Sequence, residues 1–438
     1  EVDVDGLREM LSFAPVPGRS AYRYLREVRP GHVMRFSAAG RTDSCYWRLP
    51  ARPHPDDLPA TVAAVRELLE RSVTEQIVSD VPVSTQLSGG LDSSAVAALA
   101  ARAMRACGDG PLRTFSVDFA GHTERFRAGE MYGRPDAPYV EEMVAWLGSD
   151  HTELVIDSAD LLDDGTRLGV TRALDMPAPG GEMYTSLYLL SRRIRRDATV
   201  TLTGDASDEL FGGYLWFHDE WYRNADTFPW LAASHKMELL TGLLDRDLVA
   251  ALDLEQTSRQ QYADALAEVP ELPGETPVDR RIRQITYLNL TRYLRIILDR
   301  KDRMGMAWAL EGRVPFLDHR LVEYVFNVPW ALRSFDGREK SLLRAAVRDL
   351  LPPAVLERVK APFPTTQDPL YAAGLRARLA AILADPAAPV RRVLDTDRAA
   401  AALRAPDFGA RLGITRLSVD LAVQLNGWLA DNRVEVTS

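Results

Sequence analysis

Residues 81–103 read VPVSTQLSGGLDSSAVAALAARA. An apolar run with strand character enters a loop of serine, two glycines and aspartate, and an alanine-rich helical pattern leaves it. Glycines between a strand and a helix let backbone N–H groups converge on one point, and the helix aims its positive end there. Such a unit belongs in a parallel sheet covered by helices. Its loop then lies beyond the carboxyl end of the strand, where sheets of this kind bind ligands.

The flanking sequence supplies the rest of that sheet. Strands are predicted at RTFSVDF (113–119), TELVID (152–157) and TVTLTG (199–204). Helical patterns separate them at about 92–107, 137–147 and 183–196. Strand alternating with helix predicts an α/β fold with a parallel, doubly wound sheet. Val62, Val65, Leu69, Val73 and Ile77 recur at helical spacing ahead of it. DFAGHTERFRAGEMYGRPDAP (118–138) predicts a mobile loop over the sheet. From about Trp216 onward only helical patterns occur, so the C-terminal half is expected to be mostly helical. Residues 1–50 read as a short β fragment, with GHVMRFSAAGRTDSCYWRLP alternating around an Ala-Gly turn as a hairpin does. ARPHPDDLPA then reads as a linker.

A chain of 438 residues suits two or three domains. Its 62 acidic and 53 basic residues leave a net charge of -9, which argues against a general nucleic-acid partner. No apolar run approaches the ~20 residues of a membrane span, so no membrane partner and a cytoplasmic location are expected. Two cysteines, Cys45 and Cys107, exclude a disulfide framework and a four-cysteine metal site. Cys45, beside Tyr46 and Trp47, is expected to be a buried small residue. No leader is visible and the chain starts at Glu1 rather than Met, so a processed or incomplete start is expected.

The chemistry concentrates at two strand ends. In LSGGLDSS, Gly89 and Gly90 and the hydroxyls of Ser88, Ser93 and Ser94 can cradle a phosphate at a helix N-terminus. The loop lacks the lysine of a GxxxxGK[ST] loop. Its charge must therefore come from a divalent cation, with Asp92 as a ligand, and from basic residues elsewhere. TGDASDELFGGY places Asp205, Asp208 and Glu209 together at a second strand end. Such a cluster is costly without a cation, although an acidic helix N-terminus is the plainer reading. The double glycine that follows suggests a backbone that something approaches closely.

Six blocks, SDVPVSTQLSGGLDSS, TFSVDF, LGSDHTELV, TGDASDELFGGY, KDRMGMAWALEGRVPFLDHRLVEYV and REKSLLRAA, occur in one order. Together they resemble the synthetase domain of the asparagine synthetase family over roughly residues 55–430. LSGGLDSS itself resembles the SGGxDS pyrophosphate loop of the ATP pyrophosphatases. VRPGHVMRFSAAGRTDSCYWRLP resembles the last strands of the glutamine-hydrolysing domain that precedes the synthetase domain in this family. The resemblance implies a glutaminase-like remnant at 1–50, an adenine-nucleotide α-hydrolase-like core at 56–215 and a helical part of the synthetase domain at 216–438.

It also implies a reaction. A substrate carboxylate, aspartate or similar, attacks the α-phosphorus of ATP and gives an acyl-AMP and Mg-pyrophosphate. Ammonia from glutamine, or another amine, then displaces AMP. By position, Ser88, Gly89, Gly90, Asp92 and Ser93 would hold pyrophosphate, and Asp92 and Asp208 would ligate Mg²⁺. Leu87, Val117, Thr203 and Gly204 would line the adenosine pocket. Lys340 would stabilise the charged transition state. Lys301, Arg303 and Arg313 would reach phosphate or form salt bridges within the helical half. A homodimer is compatible with the family.

The chain departs from the family at several points. Asp205 stands where the family has Glu, near the amine or acyl group. Asp118 stands where glycine is usual, DMPAPGGEMYTSLYLL (175–190) differs at the acyl pocket, and RVKAPFP (358–364) lacks a glycine before its phenylalanine. Neither cysteine is N-terminal, so the chain as it stands is expected not to hydrolyse glutamine by the family mechanism. A β-lactam synthetase-like or lasso-peptide cyclase-like enzyme that uses a substrate amine is one alternative. An inactive nucleotide-binding partner is another. RNA modification conflicts with the acidic charge.

Overall fold

The computed structural model describes residues 1–126, 134–233, 240–404, 415–432 and 434. A hairpin of β1 (His32–Ser37) and β2 (Gly40–Cys45) lies near the start, in antiparallel register with Ser37 opposite Gly40. Its turn is Ala38-Ala39, one residue ahead of the predicted Ala-Gly pair. The rest of residues 1–50 is not β-rich. Val4–Leu11 is a helix capped by Asp3, and Val2, Leu7, Leu11 and Phe13 are buried against the C-terminal half. Cys45 is half-buried rather than buried, because the strand that carries it is exposed along its length.

Five parallel strands form the central sheet: β3 (Val83–Gln86), β4 (Arg113–Phe119), β5 (Asp150–Ile156), β6 (Val200–Leu202) and β7 (Glu311–Arg313). Their order is β5-β4-β3-β6-β7. The chain moves outward from β3 to β5, then returns past β3 to β6. β3 and β6 therefore flank the switch point, where ligands of such sheets bind. Helices Leu91–Cys107, Ala137–Leu147 and Glu182–Ile194 make the crossovers at the predicted places. β7 was missed because three residues carry too little alternation to register as a strand. The predicted loop at 118–138 falls partly outside the described residues, at 127–133. Ahead of that gap lies a short helix, His122–Arg125.

Three apolar cores hold the described residues, the smallest around Phe115, Tyr184 and Met304, and the two larger ones join distant parts of the chain. One surrounds helices Leu58–Gln76 and Leu91–Cys107 and takes in Phe316, Leu321, Leu342, Leu343 and Val355. The other joins the N-terminal helix to Trp230, Leu375 and Trp428. The segment 311–356 thus packs back onto the nucleotide core, although it lies in the helical half of the sequence. This return brings distant cations to the sheet edge. No helix among the described residues is long and apolar enough to cross a membrane.

Candidate active site

The loop after β3 folds as a closed turn. Gly89 has φ +67, and a Cβ there would lie 2.6 Å from Tyr139 Cβ, so only glycine fits. Gly90 is extended, and a Cβ on it would meet only Ser88 Oγ, at 3.3 Å. Ser88 N donates to Ser93 Oγ at 3.1 Å, which ties the loop to the first turn of helix Leu91–Cys107. No side chain caps that helix. Its first N–H groups remain available to an anion. Arg358 braces the loop from outside: it donates to Ser88 O at 2.9 Å and lies 4.2 Å from the Tyr139 ring centroid.

The three carboxylates after β6 part company. Asp205 turns to Thr203 and Lys301, whereas Glu209 accepts from Tyr214 OH at 2.7 Å. Only Asp208 faces Asp92. Lys340 Nζ joins these two, 2.6 Å from Asp92 Oδ2 and 2.5 Å from Asp208 Oδ1. Lys360 Nζ lies 2.7 Å from Asp208 Oδ2, and Ser207 Oγ donates to Asp92 Oδ1 at 2.7 Å. Burial pushes Asp208 up, but Lys340 and Lys360 hold its carboxyl down at about 2. Burial, and then the charge of Asp208, push Glu209 up to about 7. Burial works against the Lys360 ammonium, but Asp208 and Asp92 hold its pKa above the ordinary lysine value.

Strain marks the same place. Ala206 (φ 73) and Lys340 (φ 54) both adopt left-handed backbone without being glycine. Each costs on the order of 1–3 kcal/mol, which the surrounding packing must sustain. Gly204 and Gly213 allow close approach. A Cβ at Gly204 would sit 2.6 Å from Ser93 N, and one at Gly213 would sit 2.2 Å from Lys340 Cε. Asp208 Oδ1 would lie closer still to that Cβ, at 2.0 Å, so the Asp208–Lys340 pair as a whole closes on the FGGY backbone. Thr203 and Leu87 are buried beside this junction, while Val117 is partly buried on β4.

Other expected cations are used differently. Arg303 donates to Asp299 Oδ1 at 2.7 Å. Arg313 donates to Glu311 Oε1 at 2.7 Å and to Val78 O at 2.8 Å. Neither faces the loop. Lys360 was missed because RVKAPFP drew notice only for its absent glycine, and a lone lysine carries no pattern. Arg300 was missed too. Its guanidinium lies 5.8 Å from the Tyr184 ring centroid and 5.3 Å from that of Phe363. Its Nε is buried without a hydrogen bond, and it has no ion pair among the described residues.

A glycine loop at a helix N-terminus, two facing aspartates and two lysines thus meet at the switch point of the sheet, an arrangement whose chemistry suits phosphate and a cation. The family described as Asparagine synthase matches residues 64–430. This chain belongs to the asparagine synthase family. It is 37% identical to asparagine synthetase [glutamine-hydrolyzing] 3 of Bacillus subtilis, over 99% of this chain and 71% of that protein. It is 27% identical to asparagine synthetase 1 of the same organism, over 83% of this chain and 59% of that protein. For the Gallus gallus asparagine synthetase the values are 28%, 71% and 44%. The chain thus spans less than two thirds of the last two. The family membership agrees with the resemblance read from the six blocks.

Proposed function

We propose that this chain is the carboxylate-activating part of an ATP-dependent, amide-forming ligase of the asparagine-synthetase type. The observation that carries the reading is the Lys340 bridge between Asp92 and Asp208, with Lys360 also on Asp208, beside a phosphate-shaped loop that has no lysine of its own.

The residues fit a magnesium ion. Lys340 Nζ contacts both carboxylates, so their oxygens are close enough for one divalent cation to span. Mg²⁺ commonly takes one or two protein carboxylates and completes its shell with phosphates and water. Asp92 and Asp208 would hold it, and it would supply positive charge to the pyrophosphate. The protein's own part is as follows. The Ser88–Ser93 loop and the helix N-terminus bind the β- and γ-phosphates of ATP. A substrate carboxylate oxygen attacks the α-phosphorus, and the bond to the bridging oxygen breaks. Lys340 and Lys360 stabilise the charge that develops on the departing pyrophosphate. Leu87, Val117, Thr203 and Gly204 line the nucleoside side. Asp205 stands at the amine side.

Arg300, unpaired between two aromatic rings, supports an acyl substrate with a second negative group, as aspartate has. The relatives described above are asparagine synthetases by name, and none favours the substrate-amine alternative. A cytoplasmic setting and a homodimer belong to this proposal. Residues 1–50, with their exposed hairpin, would adjoin a glutamine-hydrolysing part.

Carboxylate-dependent exchange of labelled pyrophosphate into ATP tests the reading directly. Exchange that requires aspartate and magnesium is the expected result. Nucleotide binding with no exchange for any small carboxylate would leave only a binding protein.

A further inference from the structure

Lys301 is a buried cation of the cleft to which the reaction above gives no task. It leaves helix Leu294–Met306 and reaches the ends of β3 and β6. Its Nζ donates to Gln86 Oε1 at 2.7 Å and lies 3.3 Å from Asp205 Oδ2. Thr203 Oγ1 donates to the same Oδ2 at 2.8 Å. Asp205 Oδ1 makes no hydrogen bond or ion pair among the described residues, and 20% of the side chain stays exposed. One oxygen of this short carboxylate is fixed and the other is open to the cleft.

On the helix that follows Asp205, Asp208 is paired with Lys340 and Lys360, and Glu209 accepts from Tyr214. Arg300, one residue before Lys301, acts on it and on Asp205. Glu311 and Arg313 on neighbouring β7 pair with each other. Helix Glu182–Ile194 packs on this helix with Tyr184 near Arg300 and Tyr188 against Trp308, while Arg192 lies over Trp308. On helix Asp164–Leu174, Arg167 pairs with Asp420 and Arg172 with Asp431. On Lys301's own helix, Arg303 pairs with Asp299 and lies 3.7 Å from Asp175, and Asp302 is exposed. Asp205, Lys301 and Arg300 together leave one positive charge. A substrate carboxylate on Arg300 brings that to zero. The Asp205–Lys301 pair itself carries no net charge with which to hold an ammonium ion.

We propose that Lys301 is a positioning residue that fixes Asp205 with one oxygen open, so that the amine enters this site as the free base and not as an ammonium ion. This rests on the function proposed above. The nitrogen lone pair of the free amine attacks the acyl carbon, the bond from that carbon to the AMP oxygen breaks, and AMP departs with the electron pair. The nitrogen becomes acidic only once it is bonded to the acyl carbon. Its proton then passes to Asp205 Oδ1, and an ionised carboxylate suffices as acceptor. Burial, opposed by Lys301 and Thr203, leaves Asp205 below its ordinary value, in keeping with a carboxylate that stays charged until that moment.

The test follows both half-reactions on one protein, with aspartate as the acid and ammonium chloride as the amine source. Pyrophosphate exchange reports activation. Amide formation is followed from about pH 6.5 to 8.5, where the free-amine fraction rises about tenfold per pH unit. The wild-type KM for total ammonium is expected to fall by that factor. Lys301→Met leaves Asp205 unpaired and favours ammonium, so the slope should flatten to about threefold per unit or less, with exchange kept within about threefold. Lys301→Arg should keep the wild-type slope. Should Lys301→Met fold poorly, the neutral pair Asp205→Asn/Lys301→Met should retain exchange and lose about 100-fold in amide formation. An unchanged slope in Lys301→Met, or exchange that falls in step with amide formation, overturns the proposal. Absence of exchange in the wild-type protein overturns the function proposed above, and this inference with it.

Discussion

Lys340→Met removes the charge that joins Asp92 to Asp208. The two bridged oxygens lie 2.6 and 2.5 Å from Nζ. They are therefore no more than about 5 Å apart, where two unit charges repel by about 3 kcal/mol at an effective dielectric of about 20. Asp208 keeps Lys360 at 2.7 Å, and Asp92 keeps only the Ser207 hydroxyl at 2.7 Å. The loss should thus fall near the lower end of the about 3–5 kcal/mol that breaking a buried ion pair costs. A divalent cation can take the place of the ammonium, so the loss should be reversible by metal. In EDTA the variant should melt below wild type, and millimolar magnesium chloride should restore most of the difference. Wild type, with Lys340 already between the carboxylates, should respond less to magnesium alone. Pyrophosphate exchange should fall by about 100-fold or more even with magnesium present, because the lysine also serves the departing pyrophosphate. A stability loss that magnesium does not reverse, or a wild-type response as large as the variant's, would refute the shared site.

Four further outcomes follow from other features. Lys360→Ala should reduce exchange by about 100-fold while equilibrium dialysis shows ATP affinity changed only a few-fold, because its ammonium acts on charge that develops late. Gly204→Ala should cost about 1–3 kcal/mol in thermal or urea unfolding, since its methyl would enter the helix backbone 2.6 Å from Ser93 N. Gly427→Ala, in the interior of helix Arg416–Asp431 with nothing within 4 Å, should instead stabilise the protein by about 0.5–1 kcal/mol. Burial pushes Glu9 up from 4.5 to about 7. A carboxyl raised in this way holds its proton in the folded state, and its contribution is lost as pH rises through 7. Glu9→Gln should therefore raise the melting midpoint at about pH 8 and change it little at about pH 5.

The sheet was legible because each of its long elements is locally self-consistent. RTFSVDF is a strand over the same residues in sequence and structure, and the alanine-rich run after Gly90 is a helix to within one residue. The glycine loop was legible for the same reason: Gly89, Ser88 and Ser93 are neighbours in the chain and in space. The acidic cluster was only half legible. Asp205, Asp208 and Glu209 are close in sequence, but the turn around left-handed Ala206 sends them to three different partners. A one-dimensional spacing cannot report which way a strained turn points its side chains.

The cations of the site lie far along the chain from its carboxylates, Lys340 248 residues after Asp92, and nothing local marks them. Lys340 and Lys360 reach Asp208 because Leu342, Leu343 and Val355 are buried in the nucleotide core, beside Val65, Leu69 and Leu99. Apolar packing, not charge, therefore sets where the ammonium groups sit. β7 joins the sheet within the same returning segment, beside β6, with Gly312 opposite Thr201. The loop could dispense with a lysine of its own because the fold returns a helical segment across its mouth. Charge held in this way can be withdrawn or displaced by metal without unfolding the loop, whereas a lysine within the loop would remain on the phosphate. That suits the departing pyrophosphate proposed above.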